Sequence, residues 1–103
     1  MFYVYLHSKP DGTPFYVGKG SDRNGSRSRS FSGRNEHHKA VVASCGRSNV
    51  EINLFEFDSD RAAIKYEAEL ISRLRKDGVA LCNITNGLGS GGYWEYRNSI
   101  KKR

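Results

Sequence analysis

Glu67 is the residue of this chain that most needs a reason. On a helical wheel it falls among Ile64, Leu70, Ile71 and Leu74, which recur at three- and four-residue spacing. A carboxylate therefore stands at or near a stripe that should face the core, where an unpaired charge costs several kcal/mol. Two readings fit: a rim position whose side chain snorkels out or pairs with a loop arginine, or a metal ligand or acid–base group projecting from a rigid helix into a cleft. Lys19, Arg23, Arg27, Arg29 and Arg34 form a cationic segment, with Lys39 close behind, suited to phosphate contacts and also consistent with a solvated surface. His37 and His38 are adjacent, and imidazole is the natural proton carrier near neutral pH. Tyr3, Tyr5 and Tyr16 sit on two short extended segments, where aromatic cross-strand pairs are ordinary stabilisers. Asn83 is a lone polar side chain in a short apolar segment, and its plain reading is a turn-type hydrogen bond to backbone.

Some chemistries are excluded. Gly18-Lys19-Gly20 lacks the spacing of a phosphate-binding P-loop, which argues against a nucleoside triphosphatase. Cys45 and Cys82 lie far apart, and the three histidines offer no tetrahedral set, so no zinc site is expected and both thiols read as reduced and structural.

The elements that must position these groups follow from periodicity. Residues 2–7 are β-branched or aromatic at almost every step, Lys9-Pro10-Asp11-Gly12 is a turn signal, and residues 13–18 read as a second strand, so a hairpin is expected. Its alternation puts Tyr3, Tyr5 and His7 on one face and Phe2, Val4 and Leu6 on the other. Residues 18–34 are rich in Gly, Ser and Arg, and this composition predicts a mobile basic loop. Asn35 as N-cap, Glu36 in the first turn and Gly46 as the stop predict a helix over 36–45. Residues 50–57 predict a third strand packed on the hairpin. Asp58-Ser59-Asp60 then opens the longest helix, over 61–77, with Gly78 as its C-cap. Residues 81–85 suggest one more extended segment, 86–92 a flexible connection, and 93–103 an aromatic and basic tail. The expected organisation is one domain over 1–92 plus that tail.

Composition agrees with a small globular protein. The chain has 103 residues, 37% hydrophobic and 27% charged, room for one domain with a modest core. Seventeen Lys and Arg against eleven Asp and Glu leave a net charge of +6, which points to polyanions and to nucleic acid first. No apolar run approaches the roughly 20 residues that span a bilayer. The start, MFYVYLHSK, lacks the charged region of a secretory signal, so the expected compartment is the cytoplasm.

Taken in order, these residues resemble a GIY-YIG nuclease. Tyr3-Val4-Tyr5 stands where the first triplet belongs and Tyr16-Val17-Gly18 where the second does, eleven residues from Tyr5 to Tyr16. Lys19 after the second triplet, an arginine soon after, a histidine on the first helix, the Glu-x-x-Leu-Ile run from Glu67 to Ile71, and Asn83 match the remaining positions, over about residues 2–87. The chain departs from the pattern in having Tyr3 for the first Gly and Val in the middle of both triplets. The arginine falls at Arg23, in a G-K-G-x-x-R form, with Arg27 as the alternate.

The resemblance implies an α/β (α+β) domain, a small three-stranded antiparallel sheet flanked by helices, hydrolysing a DNA phosphodiester with one divalent ion, Mg²⁺ or Mn²⁺. Glu67 would hold the ion, with water and the scissile phosphate completing its shell. Tyr5, with Tyr16 as the alternate, would take a proton from the attacking water, its phenol lowered by Lys19, Arg23 and the metal. Arg23 would neutralise charge on the phosphorane, His37 or His38 would assist the base or leaving group, and Asn83 would position Glu67 or the phosphate. A rival reading keeps the scaffold as a non-catalytic nucleic-acid-binding module, but a binder has no use for a carboxylate near phosphates; a third is a basic protein with an interaction role. DNA is the expected partner and no small-molecule cofactor is called for. Monomer and homodimer both stay open, since no apolar stripe outside the expected core asks for a partner.

Overall fold

The computed structural model describes residues 1–83. The elements are β1 (Phe2–Ser8), β2 (Pro14–Gly20), a one-turn α1 (Ser26–Arg29), α2 (Glu36–Cys45), a 3-10 turn at Arg47–Asn49, β3 (Glu51–Phe57) and α3 (Asp60–Lys76). Of the extended segment expected at 81–85, residues 81–83 form no strand and 84–85 lie outside the described residues, as do the expected connection at 86–92 and the tail. The strands form an antiparallel sheet in the order β2-β1-β3, so the expected three-stranded α+β architecture is the one observed.

Each boundary has a local cause. In the hairpin turn Lys9 N donates to Thr13 O (2.9 Å) and Gly12 N to Lys9 O (2.8 Å). Gly12 sits at φ 90°, a conformation that side-chain-bearing residues resist. Asn35 caps α2, its side-chain oxygen accepting from His38 N (2.8 Å), and Ser59 does the same for α3 through Ala62 N (3.1 Å), which satisfies first-turn donors. At the far end of α3, Gly78 N donates to Arg75 O (3.0 Å) and Val79 N to Leu74 O (2.9 Å), the paired bonds of a Schellman stop.

The pleat divides the side chains as alternation requires. On one face Val4 and Val17 join Ala63, Leu70 and Ile71 of α3, with Leu81, in the main core. Tyr66 of α3 packs on Phe55 and Phe57 of β3, ring centroids 5.5 and 5.1 Å away. On the other face Tyr3, Tyr5 and His7 are all buried, with Ser28, Arg34 and His38 from the segment that follows β2 closing over them.

That segment corrects an expectation. Residues 18–34 do not form one basic loop: β2 continues through Gly20, residues 26–29 are helical, and Ser28 and Arg34 are buried. The ordering comes from polar satisfaction more than from apolar burial. Asp22 Oδ2 accepts from Ser26 N (2.6 Å) and Ser26 Oγ (2.8 Å), and Oδ1 accepts from Arg27 N (3.4 Å) and from the Tyr3 hydroxyl. A low-complexity polar run thus finds its partners in buried hydroxyl and imidazole groups of the sheet, which composition does not reveal.

Candidate functional site

Register explains why glycines stand opposite the tyrosines. Tyr3 pairs with Gly20, Tyr5 with Gly18, and His7 with Tyr16, so these residues share a face. The Tyr5 ring occupies the space that a Cβ at Gly18 would need, and the Tyr3 ring does so at Gly20. Each phenol therefore lies flat across its neighbour strand, which carries the Tyr5 hydroxyl toward the segment beyond β2.

Arg34 meets it there. Nη1 donates to the Tyr5 hydroxyl at 2.6 Å, Nε and Nη2 donate to Ser30 O (3.0 and 2.7 Å), and Nη2 donates to Arg27 O (2.9 Å). The guanidinium carbon also lies 5.3 Å from the Tyr5 ring centre and 5.1 Å from that of Tyr16, within cation–π range. Only the planar, five-donor arginine head makes this set of contacts at once. Arg34 is 6% exposed and Tyr5 is 1% exposed. Burial pushes the Tyr5 phenol above its ordinary value, against the lowering pull of Arg34. Tyr16 is half-buried and is the member of the group that solvent reaches.

Beside this cluster runs a proton-ordered chain. His7 Nε2 lies 2.7 Å from Ser28 O, and His7 Nδ1 lies 3.0 Å from His38 Nε2. A carbonyl only accepts, so His7 carries its proton on Nε2 and its Nδ1 is the acceptor. His38 Nε2 must then be the donor, which leaves His38 Nδ1 a bare lone pair. That atom is buried without a hydrogen-bond partner among the described residues. Burial lowers both rings to about 4, with Arg34 and Arg27 adding to the effect, so both are neutral at pH 7.

Tyr3 holds a second polar centre. Its hydroxyl donates to Asp22 and accepts from Arg27 N at 3.1 Å. Burial and the carboxylate raise Tyr3 to about 12, while the same hydrogen bond holds Asp22 well below the usual carboxylate range.

The other expected residues are dispersed. Glu67 is 7% exposed, on the inner stripe of α3 with Ala63, Leu70 and Ile71. That helix packs on the Val4 face, so the sheet lies between α3 and the face bearing Tyr5 and Arg34. Lys19 shares the Val4 face by register and pairs with Asp60 of the first α3 turn at 2.6 Å. Asn83 grips the edge of β2: its Oδ1 accepts from Val17 N (3.0 Å) and its Nδ2 donates to Val17 O (2.6 Å). This is a bond to backbone, as its plain reading held, made to a distant strand instead of a local turn. Arg23, Arg29, His37 and Lys39 are exposed, and Arg27 is half-buried; Lys39 approaches Glu36 at 3.5 Å. His37 lines a shallow pocket of about 330 Å³ with Lys9, Ala40, Val41, Ser44 and Cys45, which shares no lining residue with the tyrosine cluster.

Three expectations change in consequence. Tyr5, expected as a base with its phenol lowered by Lys19 and Arg23, is buried with its phenol raised, while Lys19 lies on the other face against Asp60 and Arg23 is exposed. Arg34, expected at the phosphates, is committed to Tyr5 and to carbonyls. His38, expected as a proton carrier beside the substrate, is enclosed at 1% exposure and committed to His7. Asp22, His7 and Ser28 were not singled out from the sequence. For His7 the signal was present, since it is two residues from Tyr5 on the same strand face; for Asp22 and Ser28 only the tertiary contacts identify them.

In comparisons with protein-family models, with curated proteins and with solved structures, nothing matches this chain.

Proposed function

We propose that this protein is a metal-dependent DNA endonuclease of the GIY-YIG type, acting in the cytoplasm. The observation that carries the reading is the meeting of Tyr5 and Tyr16, on neighbouring strands, around the single guanidinium of Arg34. The three-stranded antiparallel sheet with one long helix supports it. No helix among the described residues is long and apolar enough to cross a membrane.

The ion would be Mg²⁺ or Mn²⁺, with Glu67 as its carboxylate. Among the described residues no three His, Cys, Asp or Glu side chains cluster, and Mg²⁺ ordinarily takes one or two carboxylates and fills its shell with water and phosphate oxygens. Glu67 would hold the ion, which when bound would polarise the scissile phosphate. Tyr16, the accessible phenol, stands across the sheet from Glu67, so it would receive the proton of the attacking water at the margin of β2, where a bound phosphate would meet both faces. Tyr5 and Arg34 brace that ring from behind, a positioning role that follows from their burial. Arg23 and Arg27 would offset charge growing on the phosphorane; His37, in a separate pocket, has no step in this reading. Beyond the Cys82 and Asn83 contacts at Phe15 and Val17, the Gly18–Gly20 end of β2 is where a DNA backbone could border both the Tyr16 face and the Lys19 face. Arg29 and Lys39 would add non-specific phosphate contacts.

Purified protein is incubated with supercoiled plasmid, with and without Mg²⁺, beside Glu67→Gln and Tyr16→Phe. Nicking should require the ion, vanish in Glu67→Gln and fall by about 10²-fold or more in Tyr16→Phe. Plasmid retarded but intact with all three proteins would overturn the enzyme reading in favour of a binding module.

A further inference from the structure

The two edges of the sheet are treated differently. The β2 edge is closed, with Cys82 N donating to Phe15 O (2.7 Å) and the Asn83 amide bonding both the N–H and the C=O of Val17. The outer edge of β3 has no strand beside it among the described residues. β3 pairs with β1 over all seven of its residues without a register break, and its sequence EINLFEF contains neither proline nor lysine. No bulge, proline or lysine blunts this strand, and its charges are the two exposed glutamates Glu51 and Glu56.

We propose that β3 is a self-association edge, on which a second copy of this chain pairs antiparallel about Leu54 to form a continuous sheet β2-β1-β3-β3-β1-β2. Directly opposed residues of an antiparallel pair point to the same face. A two-fold axis normal to the sheet keeps each face on its own side, so it must pass beside a residue that meets its own counterpart. Centred on Leu54, the pairing uses all seven residues: Leu54 meets Leu54 of the second copy, Asn53 meets Phe55, Ile52 meets Glu56, and Glu51 meets Phe57. No two carboxylates are opposed. Centring on Glu51 or Glu56 would oppose like charges, which destabilises a pair, and every other centre leaves strand residues without a partner. Leu54 is 41% exposed, and its Cδ1, the Met1 Cε and the Arg29 Nη1 all lie within 4 Å of the place a Cβ on Gly25 would take, so the two-fold axis falls beside two apolar side chains with a guanidinium at their margin.

Sedimentation equilibrium from micromolar to near-millimolar protein, without DNA, tests this. The wild type should show a monomer–dimer equilibrium, and Leu54→Lys and Leu54→Glu should each weaken it by at least about tenfold. Mixing the two variants should restore dimers, because opposite charges then meet at the axis. Circular dichroism checks that both variants fold. Independently of any variant, β3 amides of the wild type should gain protection from hydrogen exchange as concentration rises. A wild type that stays monomeric, a dimer indifferent to Leu54→Lys, or a mixture that does not re-associate would overturn the proposal. The nuclease reading survives each of those outcomes, since the plasmid test is read separately.

Discussion

Tyr5 and Gly18 share one volume: the phenol fills the place where a side chain on the neighbouring strand would begin. Gly18→Ala should therefore cost about 1–3 kcal/mol, the usual penalty for overpacking a closed site, and urea unfolding of the variant against wild type measures it. If the ring moves aside to accommodate the methyl, Tyr5 loses its 2.6 Å bond to Arg34. Arg34 illustrates how little residue type says at this scale. Arg23, Arg27, Arg29 and Arg34 look alike within a Gly- and Ser-rich run, yet one is enclosed by two aromatic rings and two carbonyls while Arg23 and Arg29 stand in solvent. Arg34→Lys should leave part of the burial energy but lose the multiple bonds of the planar head. Its unfolding midpoint should fall below that of Arg23→Lys, at an exposed position.

At the scale of elements, the decisive contacts join pieces far apart in the chain. Asn83 supplies β2 with the donor and acceptor that a fourth strand would have offered, and Asn35 both caps α2 and donates to Cys82 O (2.9 Å). Asn83→Ala leaves the Val17 N–H and C=O without those partners and should cost about 1–3 kcal/mol. Its signature is faster hydrogen exchange at the Val17 amide. A role for Asn83 at the substrate alone would instead lower cleavage with Val17 exchange unchanged. The strands and both long helices lie within a residue or two of their sequence-based bounds because caps and alternation are local signals. The 26–29 turn was not legible, because its partners are Asp22, Tyr3 and His7, and two of those belong to the sheet.

For the whole molecule, the buried imidazole pair makes folding sensitive to acid. His7 and His38 stand at about 4 in the folded protein against an ordinary value near 6.5. Between those values the unfolded chain binds more protons than the native one, so stability rises with pH there. The contribution is complete above about pH 6.5 and is lost as pH falls toward 4, on the order of a few kcal/mol for the two rings together. Urea midpoints measured from pH 7 to 4 should fall more steeply for wild type than for His38→Gln, whose amide can still donate to His7 but does not titrate. The net charge of +6 acts at the same scale through long-range attraction to polyanions. Any DNA binding should weaken steeply between low and moderate salt as counterions are released, which a filter-binding series would read.

The sequence by itself determined the strands, the two long helices, their caps, and the division of β1 into a Tyr-Tyr-His face and an apolar face. These depend on periodicity and capping within a few neighbouring residues. It also marked Glu67 as a carboxylate on an inward stripe, where the structure has it. Only the tertiary structure decided which arginine is buried, which histidine is enclosed, and that Asn83 closes one edge of the sheet while β3 has no strand beside its outer edge among the described residues. Burial and hydrogen-bond partners are set by contacts between residues 20 to 70 positions apart along the chain, and no local pattern encodes which of several similar side chains will find the one cavity that satisfies it.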